Sequence, residues 1–532
     1  MYNEPMLNSR LQLPVEPAVI LKALQDAGYE AYIVGGAVRD LLLAPDGDLR
    51  TQPERLDFDF TTNARPEEII AVFPEAFYEN QFGTVMITPE DLRAQFGLPE
   101  PSDTQAEEAA QSPKRIIDLA KATKIHISLE VPEASADPEK KEKQERNFEI
   151  TTYRSEGAYS DHRRPDFVDW GESIEEDLER RDFTINALAL KINAEALEKI
   201  AERKETDLLQ LDPSEYEIVD LHGGVEDLKQ KIIRTVGNPG DRFREDALRM
   251  LRAIRLSVQL NCKIDEITYE AIIKNSDLIT NISFERISAE FLKMLASRFP
   301  KEAVEMLDET GLLVHIIPEL LEGKGVEQGG HHTTDVWTHS LDALAACPST
   351  DPIVRLATLI HDIAKPRTYA DSDGKITFYN HEIIGSRMAK KIAERLRLSR
   401  QDQERIFILV RYHMFYYQPE NTDASIRRFM RKVGLNNIDD ILDLREGDRL
   451  GSGARRTSWR LEEMKARMVE QLHQPMEIRD LAINGHDLMR ELGMQPGPEL
   501  GRVLNELFEL VLDDPQLNQK EILLEKAKEL VV

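Results

Sequence analysis

The hydrophobic pattern along this chain changes period once. Before about residue 190, short apolar runs bounded by turn residues predict strands. Beyond it, apolar positions recur every three or four residues, the period of a helix with one buried face. Residues 16 to 43 read as a helix and then a strand, Tyr32-Ile33-Val34, which breaks at Gly35-Gly36 before a second helix near Ala37. Further strands are predicted over Leu56 to Thr61, Thr84 to Thr88, Lys124 to Leu129 and Asn147 to Tyr153. Within Leu56-Asp57-Phe58-Asp59-Phe60, alternation sends Phe58 and Phe60 into the core and both carboxylates to the other face. After about residue 190 strand signals fade, and an all-α region is expected. Its helical stretches are Asp241 to Leu260, Phe284 to Arg298, Lys301 to Leu312 and an apolar helix, Ile353 to Ala364. The remainder, Trp459 to Val532, reads as helical, with a Pro-Gly-Pro turn at Pro496 to Pro498 and core-facing positions in Leu500 to Leu512. The fold class is multidomain α+β: a small mixed α/β head followed by helices, with no internal repeat.

Length agrees with several domains, because 532 residues exceed what one core of roughly 250–300 residues accommodates. A polar, Pro- and Glu-rich insertion from Glu90 to Arg146 interrupts the head, and its flanks, Ser102 to Lys114 and Pro132 to Arg146, are expected to be mobile. No apolar run approaches the roughly 20 residues of a membrane helix, and Met1 to Arg10 lacks a signal-peptide layout, so a cytoplasmic location is expected. Cys262 and Cys347 are too few for a disulfide framework or a cysteine zinc site and read as small core residues. The net charge of −29 argues against nucleic-acid binding until its distribution is considered. Acid concentrates in residues 101–146 and around Glu172 to Glu179, whereas arginines cluster at Arg163-Arg164, Arg180-Arg181, Arg242 to Arg255 and Arg427-Arg428-Arg431. A locally basic groove on an acidic body is compatible with that layout.

Four constellations carry chemistry. The strand, glycine turn and helix start around Gly35-Gly36 form a phosphate site. The carboxylates of Asp57 and Asp59 supply the oxygen ligands that Mg²⁺ prefers. Taken alone, Asp-x-Asp equally describes a strand end meeting solvent, and Gly-Gly a plain turn. In Glu245 to Arg255, Asp246, Arg249, Arg252 and Arg255 recur every three residues and form a polar ridge opposite Ala247, Leu248, Met250, Leu251 and Ile254. That pattern alone is a salt-bridged amphipathic helix. Downstream, His339, His361-Asp362, His381, His413 and Asp448 bring imidazoles and carboxylates from several helices, a donor set for one or two divalent metals. A second pair, His486-Asp487, reads as a turn and helix start.

Gly35-Gly36-Ala37-Val38-Arg39-Asp40, Asp57-Phe58-Asp59, Arg181-Asp182-Phe183-Thr184-Ile185-Asn186-Ala187 and Glu245-Asp246-Ala247-Leu248-Arg249-Met250-Leu251-Arg252 resemble, in order, the motifs of class II tRNA nucleotidyltransferases. That family comprises CCA-adding enzymes and bacterial poly(A) polymerases. The resemblance spans roughly residues 16–320. It implies a polymerase-β-like head (16–190), a helical neck and RNA- and nucleotide-binding region (191–320), and template-independent, Mg²⁺-dependent addition of CCA to the 3′ end of tRNA. Poly(A) synthesis and partial CC or A addition are the alternatives. By the same resemblance Asp57 and Asp59 are the catalytic residues that ligate Mg²⁺, Gly36 and Arg39 meet the triphosphate, and Arg181 joins the nucleotide site from the following motif. Asp182 and Asn186 orient the ribose or a loop. Asp246 and Arg249 read the Watson–Crick edge of CTP or ATP, with Arg252 and Arg255 nearer the triphosphate and Glu245 positioning the pair. Thr152 to Pro165 resembles the mobile loop of the family and the segment after it. Asp220 to Leu228 and Glu285 to Glu290 resemble structural segments that join head to neck and cap the neck.

The histidine-bearing region (330–451) resembles HD-domain phosphohydrolases. His339, His361, Asp362 and Asp448 match their mononuclear core, and His381 and His413 the extra ligands of dinuclear members, implying a divalent transition metal. Lys365 follows the pair as in many of them. The tail (459–532), through Leu481 to Met489, Gly493 and Pro496 to Pro498, is similar to the tail of bacterial members and implies a grip on the tRNA elbow. The expected partners are tRNA, CTP and ATP, without DNA or membrane. An alternative of another class makes the HD region the working enzyme and the head an RNA-holding module.

Overall fold

The computed structural model describes residues 10–44, 57–78, 83–98, 147–156, 168–171, 173–202, 208–329, 334–372 and 375–531. The described residues up to Ile316 form one compact unit, and those from Ile317 onward form a second. The expected strand at Lys124 to Leu129 and most of the expected mobile loop, from Gly157 on, lie outside the described residues, as does the insertion beyond Leu98.

The head is built on a seven-stranded mixed sheet. Its strands are β1 (Ala31–Val34), β2 (Asp59–Thr62), β3 (Phe77–Tyr78), β4 (Thr84–Ile87), β5 (Phe148–Thr152), β6 (Leu188–Ile192) and β7 (Tyr216–Asp220), in the order β7-β6-β1-β2-β5-β4-β3. All neighbours are antiparallel except β2 and β5, which run parallel. The sheet therefore does not stop at residue 190. β6 and β7 extend it, and a separate ribbon pairs Leu11–Pro14 with Leu208–Leu211. The expectation of an all-α chain from that point is corrected accordingly. Phe58 and Phe60 are buried as alternation required, Asp57 is exposed and Asp59 half-buried. Helix α1 (Val15–Asp26) buries Ala18, Ile20, Leu21 and Leu24, and α2 (Gly36–Leu43) leaves the sheet immediately after β1.

Beyond the sheet, the expected single helix over Asp241 to Leu260 is two: α3 (Pro239–Glu245) and α4 (Leu248–Leu260). Asp246 sits between them with extended backbone (φ −142°, ψ 106°), and its carboxylate accepts from the Leu248 amide at 3.0 Å. A short acidic side chain bonding to nearby backbone competes with helix continuation, which accounts for the break. Asp246 is therefore not on the ridge formed by Arg249, Arg252 and Arg255. Helix α5 (Phe284–Leu295) packs against α4 and buries Ile287, Phe291, Met294 and Leu295.

The second unit gathers α6 (Val336–Ala346), α7 (Pro352–Leu359), α8 (His381–Arg395), α9 (Arg400–Tyr412), α10 (Asp423–Val433), α11 (Ile438–Gly451) and α12 (Pro498–Asp513). Helix α7 ends at Leu359, so His361-Asp362 lies in the turn that follows rather than on the expected helix through Ala364. α6 and α11 lie unusually close. A Cβ on Gly447 would stand 2.7 Å from the Ala343 carbonyl oxygen, and one on Gly451 2.6 Å from the Ala343 nitrogen, so glycine is what permits the crossing. The tail core unites Leu481, Leu488, Val503, Leu507, Phe508 and Leu523. Asn484 caps the helix containing His486-Asp487, and Asp487 pairs with Lys520 and Arg490, giving that pair a structural role. Cys347 is buried, whereas Cys262 is half-buried. Among the described residues no helix is long and apolar enough to cross a membrane.

Candidate functional site

In the first unit, sheet register sets the chemistry. Asp59 lies opposite Val34 on β1 and beside Glu149 on β5, so it stands next to the turn at Gly35. Gly35 has φ +78°, and a Cβ there would lie 3.0 Å from Arg181 Nη1 and 3.8 Å from Asp59 Oδ2. Turn, carboxylate and guanidinium are thus in contact, and only glycine fits between them. Burial lifts the Asp59 carboxyl to about 6, with Arg181 opposing and Asp57 reinforcing the rise. A carboxylate crowded by a like charge, with further oxygen donors beside it, is a fitting ligand for a hard divalent cation. Glu149, paired in register with Asp59 and hence on the same face, brings a third carboxylate to that face. The alternation of Glu149 between Phe148 and Ile150 was a visible signal that sequence reading missed.

The remaining motifs are tied together by one buried acid. Asp182 pairs through Oδ2 with Arg252 at 2.6 Å and through Oδ1 accepts from Asn186 at 3.1 Å and the Phe183 amide at 2.8 Å. Burial would raise its pKa, but Arg252 and Asn186 hold it below the usual carboxylate range. Asn186 in turn accepts from Arg39 Nη1 at 2.7 Å, and Arg39 also pairs with Asp40 at 2.8 Å. The chain Arg39–Asn186–Asp182–Arg252 therefore links the glycine turn, the third motif and α4. Arg180 and Arg181 both close on buried Asp177, at 2.5 and 3.0 Å, so neither is a solvated helix start.

The expected base-reading pair is held rather than loose. Arg286, on α5, clamps Asp246 with both terminal nitrogens, Nη2 to Oδ2 at 2.7 Å and Nη1 to Oδ1 at 3.3 Å. Arg249 pairs with Glu245, and its Nη2 donates to the Arg180 carbonyl at 3.3 Å. Arg255 pairs with Glu290 at 3.0 Å. The structure thus brings Asp57, Asp59, Gly36, Arg39, Arg181, Asp246, Arg249, Arg252 and Arg255 into one unit. Sequence reading missed Arg286 as the partner of Asp246 because the pairing is made only by the packing of α5 on α4.

Three findings from known proteins agree with this assembly. The family described as "Poly A polymerase head domain" matches residues 31–96 and 99–234, "Probable RNA and SrmB- binding site of polymerase A" matches 261–323, and tRNA nucleotidyltransferase domain 2 matches 383–527. A CCA-adding enzyme of Ligilactobacillus salivarius is 30% identical over 525 residues, covering 96% of this chain and 95% of that one. The chain belongs to the CCA-adding enzyme and poly(A) polymerase family. An A-adding tRNA nucleotidyltransferase of Deinococcus radiodurans is 32% identical over 363 residues, 65% of this chain and 76% of that one. Among solved structures, the Bacillus stearothermophilus CCA-adding enzyme in complex with CTP aligns over 97% of this chain and 96% of that one, with 25% identity and a TM-score of 0.59.

The second unit holds a separate cluster of metal-ligating groups, all buried. Asp362 divides its oxygens between two imidazole pairs. Oδ2 faces His339 at 3.4 Å and His361 at 3.2 Å, while Oδ1 faces His381 at 3.3 Å and His413 at 3.7 Å. Asp448 Oδ1 adds to the first group, 3.3 Å from His339 and 3.6 Å from His361. The donors form two overlapping sets, His339–His361–Asp362 and Asp362–His381–His413, with Asp362 shared. In His361, His381 and His413, Nδ1–H donates to the carbonyl three residues upstream, Thr358, Phe378 and Val410, at 2.7, 2.8 and 2.7 Å. Those bonds fix the tautomer and aim each Nε2 inward as a ligand.

The charges of the cluster suit a cation. Burial would lower the pKa of His361, yet Asp362 and Asp448 push it to about 10. Burial and nearby His361 push His413 down to about 3. Both acids stay well below the carboxylate range. Two ionised carboxylates among imidazoles, with neutral His413 beside them, fit one or two divalent cations of intermediate softness.

Proposed function

We propose that the first unit transfers CMP and AMP residues from CTP and ATP to the 3′ end of tRNA and so builds CCA. What carries this reading is the network Arg39–Asn186–Asp182–Arg252, which joins the helix after the glycine turn to α4 in a chain that matches a CCA-adding enzyme over nearly its whole length. Asp57 and Asp59, with Glu149 beside them, hold Mg²⁺. When bound, Mg²⁺ lowers the pKa of the attacking 3′-hydroxyl and neutralises the departing pyrophosphate. Gly36, Arg39 and Arg181 accept the triphosphate, and Arg252 and Arg255 extend the positive lining. The Asp246 carboxylate accepts from the amino group that cytosine and adenine share, and Arg249 donates to the ring nitrogen or carbonyl beside it. Uracil and guanine present the opposite pattern at the amino position and are refused. Residues 16–190 act as head, 191–320 as neck, and 459–532 as a tail that grips the tRNA elbow, in a cytoplasmic enzyme.

Residues 330–451, within the second unit, form a metal-dependent phosphohydrolase of the HD type. His339, His361, Asp362 and Asp448 hold one divalent transition metal, and Asp362, His381 and His413 hold a second. The shared carboxylate of Asp362 supports this reading, and a bound metal there would activate water.

One assay tests both activities. Purified protein receives Mg²⁺, each labelled NTP in turn, and tRNA lacking its last three, two or one nucleotides. Three additions that then stop, and that vanish in Asp57→Ala, are expected. Long A tails would make the protein a poly(A) polymerase, and incorporation only on tRNA already ending in CC would make it an A-adding enzyme. Phosphate release from RNA ends should disappear in His361→Ala while CCA addition persists.

A further inference from the structure

Beside the His–Asp cluster is a pocket of about 380 Å³, lined by residues of α8, α9, α10 and the turn after α9. Its volume lies in the small-ligand range of roughly 300–1,000 Å³. Two features define its chemistry. Phe415 and Phe429 face each other with centroids 5.0 Å apart and planes inclined by 49°, and both line the cavity. Around them stand Arg411, Arg428 and Lys432, with Glu382 the acidic member of the lining. Flat apolar rings beside cations are the composition that accepts an unpaired base and its phosphate together.

The cations differ in their existing engagements. Arg428 is held by Asp513 at 2.8 Å and Glu509 at 3.3 Å, so its position is set before any ligand arrives. Arg411 reaches Glu382 only at 3.6 Å, beyond hydrogen-bond range. Lys432 is exposed and forms no ion pair among the described residues. A phosphate can therefore engage Arg411 and Lys432 without displacing a well-made bond.

The pocket is built on the same backbone as the metal donors. Tyr412 and Met414 flank the ligand His413, and Glu382 follows the ligand His381. Phe415 is covered by the guanidinium of Arg445 at 5.7 Å, and Arg445 donates to Asp448 at 2.7 Å. We infer that this pocket binds a nucleoside phosphate with an unpaired base, the base against Phe415 and Phe429 and the phosphate on Arg411 and Lys432. The binding function is independent of whether the neighbouring cluster hydrolyses anything, and independent of the nucleotide site in the head.

Photo-labelling separates this site from the head. Full-length protein is irradiated with azido-AMP, or with a short single-stranded oligoribonucleotide ending in azidoadenosine, and labelled peptides are mapped by mass spectrometry. Label on the segment spanning residues 411–432 is expected from at least one probe: from both if free nucleotides are accepted, from the oligomer alone if the occupant is a strand end. Phe429→Ala should cut labelling about tenfold or more, the scale of a lost base stack. Lys432→Glu, at an exposed position that leaves folding intact, should cut it several-fold at low salt and less at high salt. Asp246→Ala, in the first unit, should leave labelling of this segment unchanged. Absence of label there with both probes, or equal labelling by a blunt duplex carrying the same terminal base, would overturn the assignment. Unaltered labelling in Lys432→Glu would overturn the phosphate contact. Metal content measured on the same variants keeps the pocket distinct from the HD site.

Discussion

Replacing Arg286 with alanine tests the base-reading geometry most directly, because Arg286 touches Asp246 rather than any substrate group so far assigned. In the structure both Asp246 oxygens are engaged, at 2.7 and 3.3 Å, which fixes the plane of the carboxylate. Charge-assisted hydrogen bonds contribute about 1.5–3 kcal/mol. The pair is 28% and 17% exposed, so screening lowers the part available for orienting Asp246 to about 1–2 kcal/mol. At about 1.4 kcal/mol per factor of ten, selectivity should fall about 5- to 30-fold. The assay is single-nucleotide incorporation into tRNA lacking its last three residues, comparing kcat/KM for CTP with that for UTP. The CTP/UTP ratio should fall in Arg286→Ala chiefly because CTP loses its oriented acceptor, and Arg286→Lys should recover part of it. An equal loss for CTP and UTP, with their ratio intact, would show that Arg286 only packs the neck and that Asp246 needs no orienting partner.

Other outcomes follow from the same geometry. Asp59 titrates near 6, above its unfolded value, so its proton is held more tightly in the folded state and metal-free stability should decline as pH rises from about 4 through 6. Mg²⁺ binds the ionised form, so the Mg²⁺-induced rise in Tm should grow over that window and be absent in Asp59→Asn, as followed by scanning fluorimetry. Glu149→Gln should raise the Mg²⁺ concentration for half-maximal addition several-fold while leaving Tm nearly unchanged. In the second unit His361 is raised to about 10, so its stabilising contribution is full below about 6.5 and is lost as pH climbs toward 10. Chelator-treated protein should therefore lose Tm above neutrality, and metal loading should flatten the profile and release protons, measurable by calorimetry in buffers of different ionisation enthalpy. Gly447→Val places a side chain against the Ala343 carbonyl and should cost about 1–3 kcal/mol, with loss of metal measured by elemental analysis because Asp448 is displaced.

What could be read from sequence follows the range of the interactions. Phe58 and Phe60 alternate with Asp57 and Asp59 because a strand has period two, and the break at Gly35 is local; both were legible. The outer strand β7 was not, because Tyr216–Asp220 is only partly buried and is a strand by virtue of pairing with β6. The interruption at Asp246 was hidden by residues on either side that suit a helix. It depends on a bond to the Leu248 amide and on Arg286, 40 positions away. The six His and Asp donors were legible as a set, but the division of Asp362 between two imidazole pairs is a property of how α6, α8, α9 and α11 meet. Glu149 stands beside Asp59 through register alone, and register is set by strands whose pairing the sequence does not spell out.

The arginine pairs also resolve the conflict between a net charge of −29 and an RNA substrate. Arg39, Arg181, Arg249, Arg252 and Arg286 each meet an acid in the first unit: Asp40, Asp177, Glu245, Asp182 and Asp246. Such pairing offsets part of the positive charge but leaves donors for a triphosphate, because a guanidinium has five and one carboxylate uses at most two. What it removes is freedom of motion. Each guanidinium is held at a fixed angle before the nucleotide arrives, so less side-chain entropy is lost on binding. On that reading the acids are the positioning half of a cationic site, and part of the negative total follows from building it with half-buried, oriented arginines rather than with exposed lysines.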